Sequence, residues 1–149
     1  MRSLIFGLFI FVLSALAAAQ ADVSSVPLPT DVAIVKPDPS APAEIARFSG
    51  AWKGAWDDVL PHVLVVEKID HERNRLQVVY AHGANQGRNI LLGNWVRLEG
   101  SFEGGKLKMI NQNGASITYV LNDKGELHGR YMRGRESRVT MSRFELRPQ

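Results

Sequence analysis

From Glu44 onward the chain alternates apolar and polar residues with a period of two, and turn-forming residues interrupt the alternation at intervals of about ten. Helical side chains repeat about every 3.6 residues, whereas a strand sends successive side chains to opposite faces, so this pattern specifies β-structure. It predicts strands near 47–56, 62–69, 75–82, 95–103, 106–111, 116–122, 126–133 and 137–146. The intervening DHERN, EGG, QNG, NDKG and RGRE carry the Gly, Asn and Asp that tight hairpin turns need for positive φ. Short connections make consecutive strands neighbours, and exposed sheet edges invite aggregation. The expected fold is therefore all-β, an antiparallel up-and-down β-barrel of about eight strands, with a two-sheet sandwich as the alternative.

The stretch FSGAWKGAW sharpens that expectation. Phe48, Gly50, Trp52, Gly54 and Trp56 occupy every second position, so one strand face carries large rings separated by bare glycines. On the inner wall of a small tapering barrel large side chains need small neighbours, and glycine lets a strand bend where the barrel closes. Trp52 and Trp56 are expected inside, together with Tyr80, Trp95, Phe102, Tyr119 and Tyr131. A barrel of this size can be filled by side chains alone, so the ring count leaves open whether a cavity remains.

The 149 residues suffice for one domain with a single core. Residues 1–21 place Arg2 before the apolar run LIFGLFIFVLSALAA and end on Ala19-Gln20-Ala21, the small-x-small pattern of a secretory signal peptide. A membrane anchor is the alternative, since the run approaches the roughly 18 residues that can span a bilayer; the cleavage pattern favours removal, leaving no transmembrane span. The protein is then exported, to a periplasm or the extracellular space. The absence of cysteine rules out disulfide staples and fits a bacterial envelope better than an animal one. Five of the seven prolines lie between Asp22 and Ala43, so 22–46 is expected to be an extended, flexible linker, in which DVAIV could add an edge strand. That assigns 47–149 to the barrel domain.

The motif Phe48-x-Gly50-x-Trp52 resembles the first-strand motif of the lipocalin and avidin-like, calycin-type ligand-binding barrels. In lipocalins that tryptophan closes one barrel end beneath an arginine from the last strand, and the resemblance matches Arg143, in VTMSRF, to that position. Gly125-x-Leu127-x-Gly129-x-Tyr131 is similar to the glycine-spaced, Tyr-bearing hairpins of avidin-like barrels. The segment Ile117-Thr118-Tyr119 lacks the acidic residue of the lipocalin Thr-Asp-Tyr pattern, and the avidin contacts to biotin cannot be traced. What the resemblance implies is a barrel with one closed end, built on Trp52 and Arg143, and one open mouth.

The longest internal connection, His82 to Asn94, is where a mouth site would lie. It offers Asn85, Gln86, Arg88 and Asn89 as hydrogen-bonding groups, flanked by Tyr80, His82 and Trp95, a mixture suited to sugars or polar heterocycles. With Trp56 and Tyr131 added from the glycine-spaced strands, the candidate ligand-binding set is Trp56, Tyr80, His82, Asn85, Arg88, Trp95 and Tyr131. The alternative for the loop is a solvated connection. No nucleophile elbow or phosphate-cradling motif occurs, and no cofactor is expected. The histidines at 62, 71, 82 and 128 lack the close spacing of metal ligands. Glu67, in VLVVEK, could act as an acid or base if buried, but a salt-bridged barrel residue is the commoner outcome.

Residues 130–149 hold six arginines against two glutamates, which makes the C-terminal hairpin basic. Arg130, Arg133, Arg135 and Arg138 could meet an anionic envelope component, although arginine alternating with apolar residues is also ordinary solvent-face patterning. Nucleic acid is not expected as a partner of an exported chain with so small a net charge. The sequence therefore points to a non-enzymatic exported barrel that binds a small polar or amphipathic ligand at its mouth. Its rival is an envelope interaction or structural module with a filled barrel and a basic contact hairpin; an enzyme using Glu67 or His82 is a third reading.

Overall fold

The computed structural model describes residues 22–146, and the expected signal peptide lies outside the described residues. Eight strands form in chain order: β1 Gly50–Trp56, β2 Leu60–Asp70, β3 Arg75–His82, β4 Asn94–Glu103, β5 Lys106–Ile110, β6 Ser116–Leu121, β7 Leu127–Arg133 and β8 Arg135–Phe144. Each pairs antiparallel with the next, and β8 returns to β1 to close the barrel. This is the expected up-and-down barrel, and its shape is compatible with a calycin-type fold. Boundaries shift where turns are tighter than the alternation suggests. β2 starts at Leu60 because Asp57 and Asp58 both take positive φ, 47° and 61°, and reverse the chain within a few residues.

The alternation of FSGAWKGAW is realised as packing. Phe48, Trp52 and Trp56 are buried in the interior cluster that also holds Leu64, Leu76, Leu107, Ile117, Tyr119 and Leu127. The glycines between the rings face the same way, and their lack of a side chain lets neighbouring elements approach. A Cβ on Gly54 would stand 2.4 Å from the Thr140 carbonyl oxygen, and one on Gly129 would stand 2.5 Å from the Tyr119 ring. Side chains there would push β8 from β1 or displace Tyr119 from the core. Trp95 is the exception among the expected interior rings: it pairs with Ala81, which belongs to the outer-face cluster, so the β4 register sends it outward.

One barrel end is sealed. A short helix, α1 (Ala43–Ala46), brings Ile45 against the core, and Phe48 meets Phe102 edge-on at 5.4 Å. Trp52, fully buried, donates from Nε1 to the Phe48 carbonyl at 2.9 Å. Arg143, its cross-strand partner on β8, lays its guanidinium 4.1 Å from the indole centroid and donates to the carbonyls of Ser49 and Arg47.

Residues 22–42 have no regular structure, as a proline-rich linker should, but they do not stand clear of the barrel. Val26 and Pro29 are buried. Val26 packs with Ala51, Val63, Val65, Val79 and Ala81 on the outer face of β1–β3, and Val23, Leu28 and Val32 join it. This differs from the free tether expected, and the reason lies in β2 and β3, which are apolar on both faces and need an outer cover. The DVAIV segment adds no strand. A bulge in β2 between Val66 and Lys68 frees the Glu67 carbonyl, which accepts from Val35 N at 2.7 Å. Arg97 then locks the arrangement, donating to both Glu67 carboxylate oxygens at 2.9 and 3.2 Å and to Asp31 at 2.8 Å. Glu67 is thus an ion-paired residue of the outer wall, tying strap to barrel.

Candidate functional site

The opposite end gathers four connections: β1–β2, β3–β4, β5–β6 and β7–β8. Between them lies a cavity of 260 Å³, walled by Trp56, Tyr80 and Tyr131, with Leu60 and Ile90 as apolar contributors and His82, Arg88, Asn111, Asn113 and Ser137 as polar ones. The wall rings come from inward positions near strand ends, Trp56 as the last residue of β1 and Tyr80 and Tyr131 two residues before the ends of β3 and β7, which is where alternation brings a core side chain to the rim. Trp56 meets Tyr131 edge-on, with centroids 5.9 Å apart.

Behind these rings sits a sealed polar pair. His62 is fully buried, its ring 5.1 Å from Trp56 and 4.6 Å from Tyr80. Its Nδ1 lies 2.7 Å from the Ala81 carbonyl oxygen, which can only accept, so the proton is on Nδ1 and Nε2 accepts from the Tyr119 hydroxyl at 2.7 Å. Burial pushes the His62 pKa down to about 3 and the Tyr119 hydroxyl well up, so both are neutral. Every polar atom of this pair is satisfied. The Trp56 Nε1 is not: it is buried without a hydrogen-bond partner, near the Tyr80 hydroxyl but outside bonding geometry.

The β3–β4 loop is pinned across the mouth. Asn85 caps a 3-10 turn (Gln86–Arg88), its Oδ1 accepting from Arg88 N at 2.9 Å while its Nδ2 donates to the Val59 carbonyl at 2.7 Å. Arg88 reaches the β1–β2 turn and donates to Asp57 at 2.6 Å. That bond is the largest influence holding the Asp57 carboxyl down to about 2, and Asp57 also accepts from Arg138 N at 2.9 Å. His82 donates from Nδ1 to the Gly83 carbonyl at 3.0 Å, which presents Nε2 as an acceptor in the neutral ring.

Of the seven residues proposed from sequence, Trp56, Tyr80, His82, Arg88 and Tyr131 line this cavity together. Asn85 does not, because both ends of its amide are engaged in shaping the loop. Trp95 lines a neighbouring depression of 210 Å³ that shares Tyr80, His82, Asn111 and Asn113 with the mouth. Sequence reasoning missed Asn111 and Asn113, since an Asn-rich hairpin reads as a turn whatever its side chains face. Their placement is clear from the bonds: Asn113 Nδ2 donates to the Tyr131 hydroxyl at 2.6 Å.

The C-terminal hairpin is less basic than its composition implies. Arg130 and Arg138 both pair with Glu136, and Arg135 lies 3.8 Å from Asp57. Among the described residues, no group of three or more His, Asp or Glu is placed to hold a metal ion, and no helix is long and apolar enough to cross a membrane. No protein-family model, curated protein or solved structure matches the chain.

Proposed function

We propose that this protein is an exported, non-enzymatic barrel of lipocalin/avidin-like kind that binds a small polar or amphipathic ligand at its mouth. The observation that carries the reading is the cavity in which three aromatic walls and several polar side chains converge. Its volume suits a molecule of one or two rings; the interior below it is filled by side chains, which leaves no room for a long lipid tail. The Arg143 cover over Trp52 supports the kinship to barrels closed at one end. Ion-pairing of Glu67 on the outer wall and the sealing of His62 argue against acid–base chemistry as the purpose of the site.

A second reading, an envelope interaction module, is favoured by one observation: Leu91 and Leu92 stand 70% and 80% exposed on the loop that covers the mouth. In that reading the tip arginines, Arg133 and Arg135, would add an anionic contact. Native mass spectrometry of the protein purified from its own host separates the two. A co-purified molecule of a few hundred daltons at most, lost in Tyr131→Ala, is the expected result. A bare barrel that retains an envelope component through Leu91 and Leu92 would support the second reading instead.

A further inference from the structure

We infer that Asp57 sets the charge preference of the mouth: by holding Arg88 it makes the cavity select a neutral planar ring bearing a carbonyl-type acceptor, and reject an anion. The inference rests on the mouth being a ligand site and specifies what that site takes.

The ring follows from the walls. Trp56, Tyr80 and Tyr131 present aromatic surfaces on several sides of a small space, which favours a flat ligand stacked or edge-on between them. The acceptor follows from what the lining leaves unused. Trp56 Nε1 is a buried donor without a partner, the one such atom among the described side chains. The Tyr131 oxygen already accepts from Asn113, so its own proton is available to be donated. Asn111 Oδ1 accepts from Gln112 N at 2.7 Å, which leaves the Asn111 amide protons for the cavity. Against these donors stands His82, whose Nδ1 is engaged with the Gly83 carbonyl and whose Nε2 is left to the cavity. A ligand carbonyl or ring nitrogen would accept from the Tyr131 hydroxyl and the Asn111 amide, donors that the lining otherwise leaves to water.

Neutrality follows from Asp57. Arg88 is the cationic side chain in the lining, and it is matched by the Asp57 carboxylate at 2.6 Å. An anion entering the cavity would shed its hydration without gaining a free counter-charge, and would face Asp57 across the same guanidinium. Arg135, the other cation near Asp57, is largely exposed at 3.8 Å and sits outside the lining.

Three probes share one ring and differ only in the group they carry: benzamide, benzoate and toluene. The readout is the Trp56 indole N–H resonance in a ¹H–¹⁵N spectrum, assigned with Trp→Phe variants at 52, 56 and 95. Benzamide should move that resonance saturably and bind about tenfold or more tighter than benzoate or toluene. Asp57→Asn keeps an oxygen for Arg138 N but releases the Arg88 charge, and should bring benzoate to parity with benzamide or beyond it. Adding Arg88→Gln to that variant should restore the preference for benzamide. Benzoate or toluene matching benzamide in the unmodified protein, or an unchanged ratio in Asp57→Asn, overturns the inference while leaving a ligand site at the mouth. If no probe moves the Trp56 resonance, both the inference and the mouth reading fail.

Discussion

At the scale of single residues, His62 shows how burial converts a titratable group into a structural one. The native state holds it neutral, with a pKa of about 3 against an ordinary value of 6.5, because desolvation penalises the imidazolium. Between these values the unfolded chain binds a proton that the native chain does not, so stability is complete above pH about 6.5 and declines as pH falls toward 3. The slope expected from this group is up to about 1.4 kcal/mol per pH unit. Urea midpoints measured between pH about 6.5 and 5, above most carboxylate titration, should fall with pH in the wild type. They should stay flatter in His62→Gln; equal slopes would show that His62 is not the group responsible. Trp52 and Tyr131 provide the contrasting pair. Trp52→Ala removes a fully enclosed ring and the surface on which Arg143 rests, with an expected loss of roughly 3–5 kcal/mol in urea unfolding. Tyr131→Phe, at the rim, should change the unfolding free energy by less than about 0.5 kcal/mol while weakening any ligand that uses its hydroxyl.

At the scale of elements, the strap formed by residues 22–42 is the part whose role depends on what lies beneath it. Alternation in β2 breaks down at HVLVV, where neighbouring residues are buried on opposite faces of the wall. A strand that is apolar on both sides announces that both sides are covered, and that signal was present in the sequence; the identity of the cover was not. Proline-rich segments are extended whether they dangle or dock. What docks this one is a set of distant partners, Val26 on Val63 and Val79, and Asp31 on Arg97, brought together by barrel closure. A chain beginning at Ala41 should lose at least roughly 2 kcal/mol and bind a hydrophobic dye through Val63, Val65 and Val79. An unchanged urea midpoint with no dye binding would mean that the strap lies on the wall without supporting it.

At the scale of the whole molecule, the barrel separates two tasks by end. The Trp52 end is closed by Arg143, Phe48 and α1, whereas the other end gathers four connections and keeps a cavity. This division is why five of the seven proposed site residues fall together and two do not. Trp56, Tyr80 and Tyr131 occupy inward strand positions and were readable from period and glycine spacing. Trp95 was misplaced because β4 pairs so that it lies beside outward Ala81, and a shift of one residue exchanges the faces of a strand. Asn85 was readable as polar and loop-borne, yet its amide is consumed by the turn it caps. By itself the amino-acid order determined the number of strands, their up-and-down connection and the glycines that admit the rings, because period and turn chemistry act over neighbours in the chain. Only tertiary structure decided the strap's resting place, the Asp57–Arg88 pair and the sealed His62–Tyr119 bond, because each joins residues far apart in the chain whose meeting depends on strand register and on which face of the wall each side chain takes.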